Sequence, residues 1–346
     1  MLGAICGDII GSTREGRKSI FNDHGEIVAM EKDATITPLE QPEKIIHESL
    51  TFTDDTVLTF ATDKVMRNSS ISPESFADTY ANFYDMHGPQ KNNFYLGPGI
   101  GYGLKFSQWA HEWMHGEKRP GYFSRGNGSA MRVSPVAYHS KSLLDVINIS
   151  ANSAQCTHNH PEGIFFAQIT AISVWAAIQG ANAKEIRELL FSFSPDTESF
   201  FNKTEDSLIK HAYFSALASD SVPIAIWAAL EGPDFESVMV RCLKIGADTD
   251  TIACIAGSIA EPLWGLPQSI ATQSLDILKT DGPFLYNEYE MSVTGKYDQE
   301  RQETWSPYKN WLSSDDFTEK KSAKIAPRFL GGIKSWFTNL RQDSGI

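Results

Sequence analysis

Glycine recurs every fourth residue in the segment MLGAICGDIIGS, at Gly3, Gly7 and Gly11. On a helix this spacing lines up three positions without side chains along one face. The backbone of a second helix can approach there more closely than any larger residue would allow. The residues between are apolar, so the segment reads as a buried helix that needs a buried partner. It lacks a basic leader and carries Asp8, which argues against a signal peptide.

Helical periodicity continues through the chain. In TDDTVLTFATDKVM (53–66), Val57, Phe60, Ala61 and Val65 fall on one stripe. Similar patterns predict helices over 73–84, 142–154, 162–179, 183–193, 205–218, 223–231, 235–245 and 251–261. Strand alternation is rare, and 36–52 reads as a loop with one short extended or helical piece. The expectation is an all-α globule with long functional loops between helices. The run IFFAQITAISVWAAI (164–178) is short for a membrane span and is interrupted by Gln168, Thr170 and Ser173, so it is expected to be a core helix.

Composition narrows the function classes. With 346 residues, 41% hydrophobic and 21% charged, the chain is a globular one. A net charge of −13 argues against non-specific binding to nucleic acid or to an anionic membrane, both of which need clustered Lys and Arg. An anionic ligand remains open, because backbone N–H groups hold phosphate without net positive charge. Cys6, Cys156, Cys242 and Cys254 are widely separated among apolar or small residues, which reads as reduced core thiols and a cytoplasmic setting.

Two clusters of side-chain oxygens stand out. GADTDTIACIAG (246–257) alternates Asp248, Thr249, Asp250 and Thr251 before an apolar helix, and FTDDT (52–56) places Thr53, Asp54 and Asp55 before another. Asp and Thr are favoured N-caps, and acids suit the positive end of the helix dipole. One cap needs one such residue. Together the clusters supply four carboxylates and several hydroxyls, enough for two divalent cations sharing a bridging aspartate. With 248–250 extended, Asp248 and Asp250 would point the same way. Two independent caps and one shared metal site are both open at this stage.

Two glycine-rich loops, LGPGIGYG (96–103) and SRGNGSAMR (124–132), follow no strand of a βαβ unit, so a dinucleotide-binding fingerprint is unsupported. Ordinary turn chemistry explains either loop alone. The carboxy-terminal stretch changes character: residues 296–346 balance to +2, leaving −15 on the rest. It is treated as an extension, 291–346, appended to a domain over 1–290.

Five blocks in order, GAICGDIIGSTRE (3–15), FTDDT (52–56), GNGSAMRVSP (126–135), THNHPEG (157–163) and GADTDTIACIAG (246–257), resemble the ADP-ribosylglycohydrolase family. The resemblance implies an all-α fold, a compact, orthogonal multi-helix globule, with a dinuclear Mg²⁺ or Mn²⁺ centre. It implies metal ligation by Thr53, Asp54 and Asp55 on one side and by Asp248, Asp250 and Thr251 on the other. Asp55 or Asp250 would act on the attacking water. Glu15 matches an acidic position near the scissile bond, although its ordinary reading is a solvated helix end beside Arg14 and Arg17.

ADP-ribose would be held by Ser124, Arg125, Gly126, Asn127, Gly128, Ser129 and His158. Gly126 and Gly128 admit close approach of a pyrophosphate, and Asn127 can present donor and acceptor to a ribose or phosphate oxygen. His160 has weaker support than His158. Where several relatives carry an aromatic residue that stacks on adenine, this chain has Arg125; a guanidinium can also stack, or Phe123 or Tyr122 can take over.

The implied activity is removal of ADP-ribose from modified protein side chains, arginine being the commonest acceptor among close relatives. Serine-linked or nucleic-acid-linked ADP-ribose, a non-catalytic module that binds ADP-ribose or an ADP-ribosyltransferase, and an unrelated two-metal phosphohydrolase are the rivals. The last would need histidine–carboxylate spacing that is not seen near the Asp clusters. Some relatives act against an ADP-ribosylating toxin, so a toxin or its target is a conceivable partner beside the ADP-ribosylated protein itself.

Overall fold

The computed structural model describes residues 1–12, 19–21, 27–30, 50–68, 70–87 and 101–294. At its centre two helices, α1 (Leu2–Gly11) and α13 (Thr249–Trp264), lie antiparallel in close contact. The glycine row is the reason. A Cβ placed on Gly3 would lie 2.3 Å from Gly257 O, one on Gly7 2.0 Å from Ala253 O, and one on Gly11 2.5 Å from Asp250 Cα. Backbone therefore meets backbone along the whole of α1, as the spacing predicted.

Against this pair pack α2 (Asp54–Met66), α8 (Pro161–Ile178), α11 (Ala218–Glu231) and α12 (Phe235–Ile245), with α3 (Pro73–His87) behind α2 and α7 (Leu143–Gln155) behind α8. Helix α8 covers the 164–178 run. It alone among the described helices is long and apolar enough to cross a membrane, and it is packed by α7, α11 and α13 as a core helix. A helix buried on most sides has no use for a polar face, which is why its apolar residues run on without period.

Cap chemistry sets several boundaries. Ser142 and Asp145 close a capping box at the start of α7, and Asn182 with Glu185 does the same for α9 (Ala183–Phe193). His160 caps α8 by accepting from Glu162 N–H at 3.1 Å, a structural role for the histidine with the weaker functional support.

The structure differs from the periodicity reading in three respects. The expected helix 205–218 ends early, as α10 (Glu205–His211); α11 then starts at Ala218 and runs through Pro223 instead of opening there. The cause is tertiary: Asn127 N–H donates to Ala216 O (2.9 Å) and Ala218 N–H to Arg125 O (3.0 Å), so 216–218 pairs with the 125–127 turn. Helices α4 (Leu104–Met114), α5 (Gly128–Met131), α6 (Ser134–His139), α14 (Gln268–Asp281) and α15 (Pro283–Thr294) were not foreseen, nor was a 3-10 segment at Pro195–Asn202. A short antiparallel pair, β1 (Ser19–Phe21) with β2 (Ile27–Met30), sets Ser19 opposite Met30. Among the described residues the fold is all-α but for that pair.

Candidate metal centre and adjoining glycine turn

The α1–α13 contact carries two acids with it, Asp8 from α1 and Asp250 from the first turn of α13. The start of α2 supplies Asp54 and Asp55. Asp8 is what ties α2 to α1: its carboxylate accepts from Thr53 N–H (2.9 Å), Thr53 Oγ1 (2.7 Å), Thr56 N–H (3.1 Å) and Thr56 Oγ1 (2.5 Å). Ligand oxygens of Asp8, Asp55 and Asp250 come within 4.8 Å of one another, close enough to share an ion. In the sequence Asp8 stands outside both oxygen clusters. The available signal was its charge, in a helix otherwise made of apolar residues and glycine.

The two oxygen clusters are built differently. Thr53 is a true N-cap of α2, its Oγ1 accepting from Asp55 N–H at 3.3 Å. Asp248 occupies the N-cap position of α13 but makes no side-chain cap bond. Its Oδ2 instead accepts from Asn127 Nδ2 at 2.6 Å. The expected extended geometry of 248–250 is not what is found. Thr249 already opens the helix, and the chain enters it through Gly246 (φ 76°) and Ala247 (φ 69°). A left-handed alanine is uncommon and strained; here it turns the backbone sharply before Asp248. Thr251 Oγ1 donates to Asp55 Oδ2 at 3.3 Å, joining the halves.

Burial raises the stakes of this crowding. Asp8, Asp54, Asp55, Asp248 and Asp250 are all buried. Desolvation first, and the neighbouring carboxylates second, push Asp8 up to about 7 and Asp54, Asp55 and Asp248 well above the usual range. Asp55 Oδ1 is buried with no hydrogen-bond partner among the described residues. Hard oxygen donors, mutual repulsion and an orphaned carboxylate oxygen are what a divalent cation would satisfy. The residues fit the group.

Beside the acids, residues 124–129 fold onto His158. Gly126 N–H donates to Ser124 Oγ (3.0 Å), and Ser129 Oγ donates to Gly163 O (2.8 Å), anchoring the turn to α8. Both amide hydrogens of Asn127 are committed, to Asp248 and to Ser221 Oγ (3.0 Å), so it positions an acid and keeps only Oδ1 for anything else. A Cβ on Gly128 would stand 3.1 Å from His158 Nε2. Arg125 is paired in bidentate fashion with Glu162, both bonds 2.8 Å, and is half-exposed. Phe123, by contrast, is 62% exposed, holds a left-handed φ of 56° and rests edge-on against His160. Glu15 and the glycines at 97 and 99 lie outside the described residues.

A helical globule with a buried polycarboxylate cluster beside a glycine turn is compatible with a metal-assisted hydrolase, and the comparisons give the family. Residues 1–281 match the ADP-ribosylglycohydrolase family, and the chain belongs to it. It is 26% identical over 320 residues to ADP-ribosylhydrolase ARH3 of Bos taurus, spanning 78% of this chain and 84% of that one. The human protein of that name is 25% identical over 322 residues. ADP-ribosylarginine hydrolase Tri1 of Pseudomonas putida is 26% identical over 148 residues, 41% of this chain and 39% of that one. Among solved structures, an ADP-ribosylglycohydrolase-related protein complex superposes with a TM-score of 0.59 at 19% identity, covering 84% of this chain and 97% of that one, a likeness of fold.

Proposed function

We propose that this hydrolase removes ADP-ribose from modified protein side chains, in the cytoplasm, with two divalent cations, Mg²⁺ or Mn²⁺, held by Asp8, Thr53, Asp54, Asp55, Asp248, Asp250 and Thr251. The observation that carries the reading is the convergence of Asp8, Asp55 and Asp250 within 4.8 Å beside the 124–129 turn. When bound, cations there supply charge compensation and Lewis-acid chemistry.

The chain's own groups do the rest. Asp55 orients the attacking water and takes its proton, with Asp250 as the alternative. Asn127 holds Asp248 in register. Amides of Gly128 and Ser129, which open α5 and have no intrahelical partner, meet the pyrophosphate. Phe123 supplies the adenine contact, since Arg125 is occupied by Glu162. Glu15 protonates the leaving group when that group is not already cationic before the bond breaks.

Arginine is the first acceptor to test, as the N-glycosidic linkage the family resemblance favoured. A serine O-linkage is the second reading; the relatives matched over 78% of the chain carry the broader name ADP-ribosylhydrolase, and the one named for arginine matches over 41% of it. The experiment is release of ADP-ribose from arginine- and from serine-modified protein, with Mg²⁺, with Mn²⁺ and with EDTA. Cation-dependent release from one substrate is expected. Release that survives EDTA would refute the metal reading, and tight ADP-ribose binding without release from either would favour a binding module.

A further inference from the structure

Arg132 lies beneath the glycine turn as a fully buried cation. Its guanidinium stacks on Tyr80 of α3, Cζ 4.0 Å from the ring centroid. Its Nε and Nη1 have no hydrogen-bond partner among the described residues. Only Nη2 is bonded, donating to Thr157 Oγ1 at 2.7 Å and more weakly to Ser153 O (3.2 Å) and Cys156 Sγ (3.9 Å). A buried guanidinium so sparsely satisfied is expensive, so what its one strong bond accomplishes is of interest.

Guanidinium is a donor only. Thr157 Oγ1 must therefore accept from Arg132, and the hydroxyl keeps one proton to give. Thr157 is fully buried, so no solvent competes for that proton. His158 Nδ1 stands 2.8 Å away. If the hydroxyl donates there, Nδ1 is the acceptor nitrogen and the ring proton sits on Nε2. Nε2 in turn faces the turn: a Cβ on Gly128 would lie 3.1 Å from it and one on Gly126 3.3 Å. Burial of the ring, and then the positive charge of Arg132, hold the histidine well below its ordinary pKa.

We infer that Arg132 and Thr157 are positioning residues that fix His158 as a neutral imidazole, its Nε2–H aimed as a hydrogen-bond donor at a nucleotide oxygen held by the 126–128 turn. The assignment of that oxygen rests on the proposed ADP-ribose reading; the proton relay does not. It makes His158 a fixed donor and removes it from the acid–base steps.

The relay is read first without nucleotide, by nitrogen-15 NMR of the His158 ring in the full chain with Mg²⁺. The expected pattern is a protonated Nε2 and an unprotonated, hydrogen-bonded Nδ1; a proton on Nδ1 overturns the inference. In Thr157→Val, Nδ1 shifts to the position of a free ring nitrogen and ADP-ribose binds about tenfold more weakly, the loss of one aligned hydrogen bond. Thr157→Ser restores both. An unchanged ring in Thr157→Val overturns the relay. In Arg132→Met the threonine oxygen is free to accept, and the ring proton moves in part to Nδ1; a ring still protonated wholly on Nε2 removes Arg132 from the device. Should Arg132→Met not fold, the Thr157 pair decides alone. A correct ring pattern in a protein that binds no ADP-ribose would overturn the donor's target and leave the relay standing.

Discussion

Asp55 and Asp63 stand two turns apart on the buried face of α2, and their surroundings push them in opposite directions. Asp55 sits among Asp8, Asp54, Asp248 and Asp250, and burial with those neighbours raises its pKa well above the ordinary carboxylate. Burial would raise Asp63 too, but His139 (2.9 Å) and Arg67 (2.8 Å) outweigh it and hold it below. Arg67 also reaches Glu288 of α15, which Lys64 joins at 2.8 Å. One region neutralises its acids with side chains; at the other, no side chain among the described residues does so for Asp8, Asp54, Asp55 or Asp248. A chain able to build the first arrangement has not built it at the second, and that contrast is the strongest physical argument for an exogenous cation.

Three outcomes would break or sharpen this contrast. The largest is expected from Asp55→Asn and Asp250→Asn, each of which should lower turnover by about a thousandfold or more by removing an oxygen of the centre. Their thermal midpoints in EDTA should equal or exceed the parent's, because a repulsive charge has gone. Near-normal ADP-ribose release by either variant would detach the cluster from the chemistry.

Next comes Asp63→Asn, which leaves Arg67 with Glu288 as its remaining carboxylate and should cost about 1–3 kcal/mol in urea unfolding. Calorimetric Mg²⁺ affinity should not move. If it falls along with stability, the two regions are one.

The smallest effect is in pH. The cluster's raised pKa values favour protonated carboxyls in the fold, so without cation its contribution to stability is fullest in acid and declines from about pH 4 through the Asp8 value of about 7. Asp63, held low, contributes above its unfolded value and loses that only as pH falls beneath about 4. Thermal midpoints from pH 5 to 8 should therefore drop with rising pH in EDTA and stay flatter in Mg²⁺. Parallel curves would contradict the account.

What the sequence disclosed follows from how each element signals itself. Helices that begin on a cap and keep one dry face, such as α7, α9 and α12, were readable to within a residue or two. Short α5 and α6 hold too few turns to show a period, and α11 continues through a proline that sequence rules take for a start. In the site, Thr53, Asp54, Asp55, Asp248, Asp250 and Thr251 were visible because oxygen donors were repeated beyond the needs of a cap. Asp8 and Arg132 were not. Each is a single charge inside an apolar or small-residue stretch, and only the third dimension shows that one ties the two halves of the cluster together and the other lies behind a histidine.

The glycine row of α1 sets a distance as well as a packing density. Asp8 and Asp250 ride on helices whose separation is fixed by main chain resting on main chain, with no flexible side chain in between to absorb an error. A methyl group at Gly7 or Gly11 would act as a shim, opening the gap between the two oxygen donors without altering either of their side chains. Such a variant would keep every acid of the cluster and still present as a fault in ion capture, which makes three residues without side chains the gauge to which the centre is built.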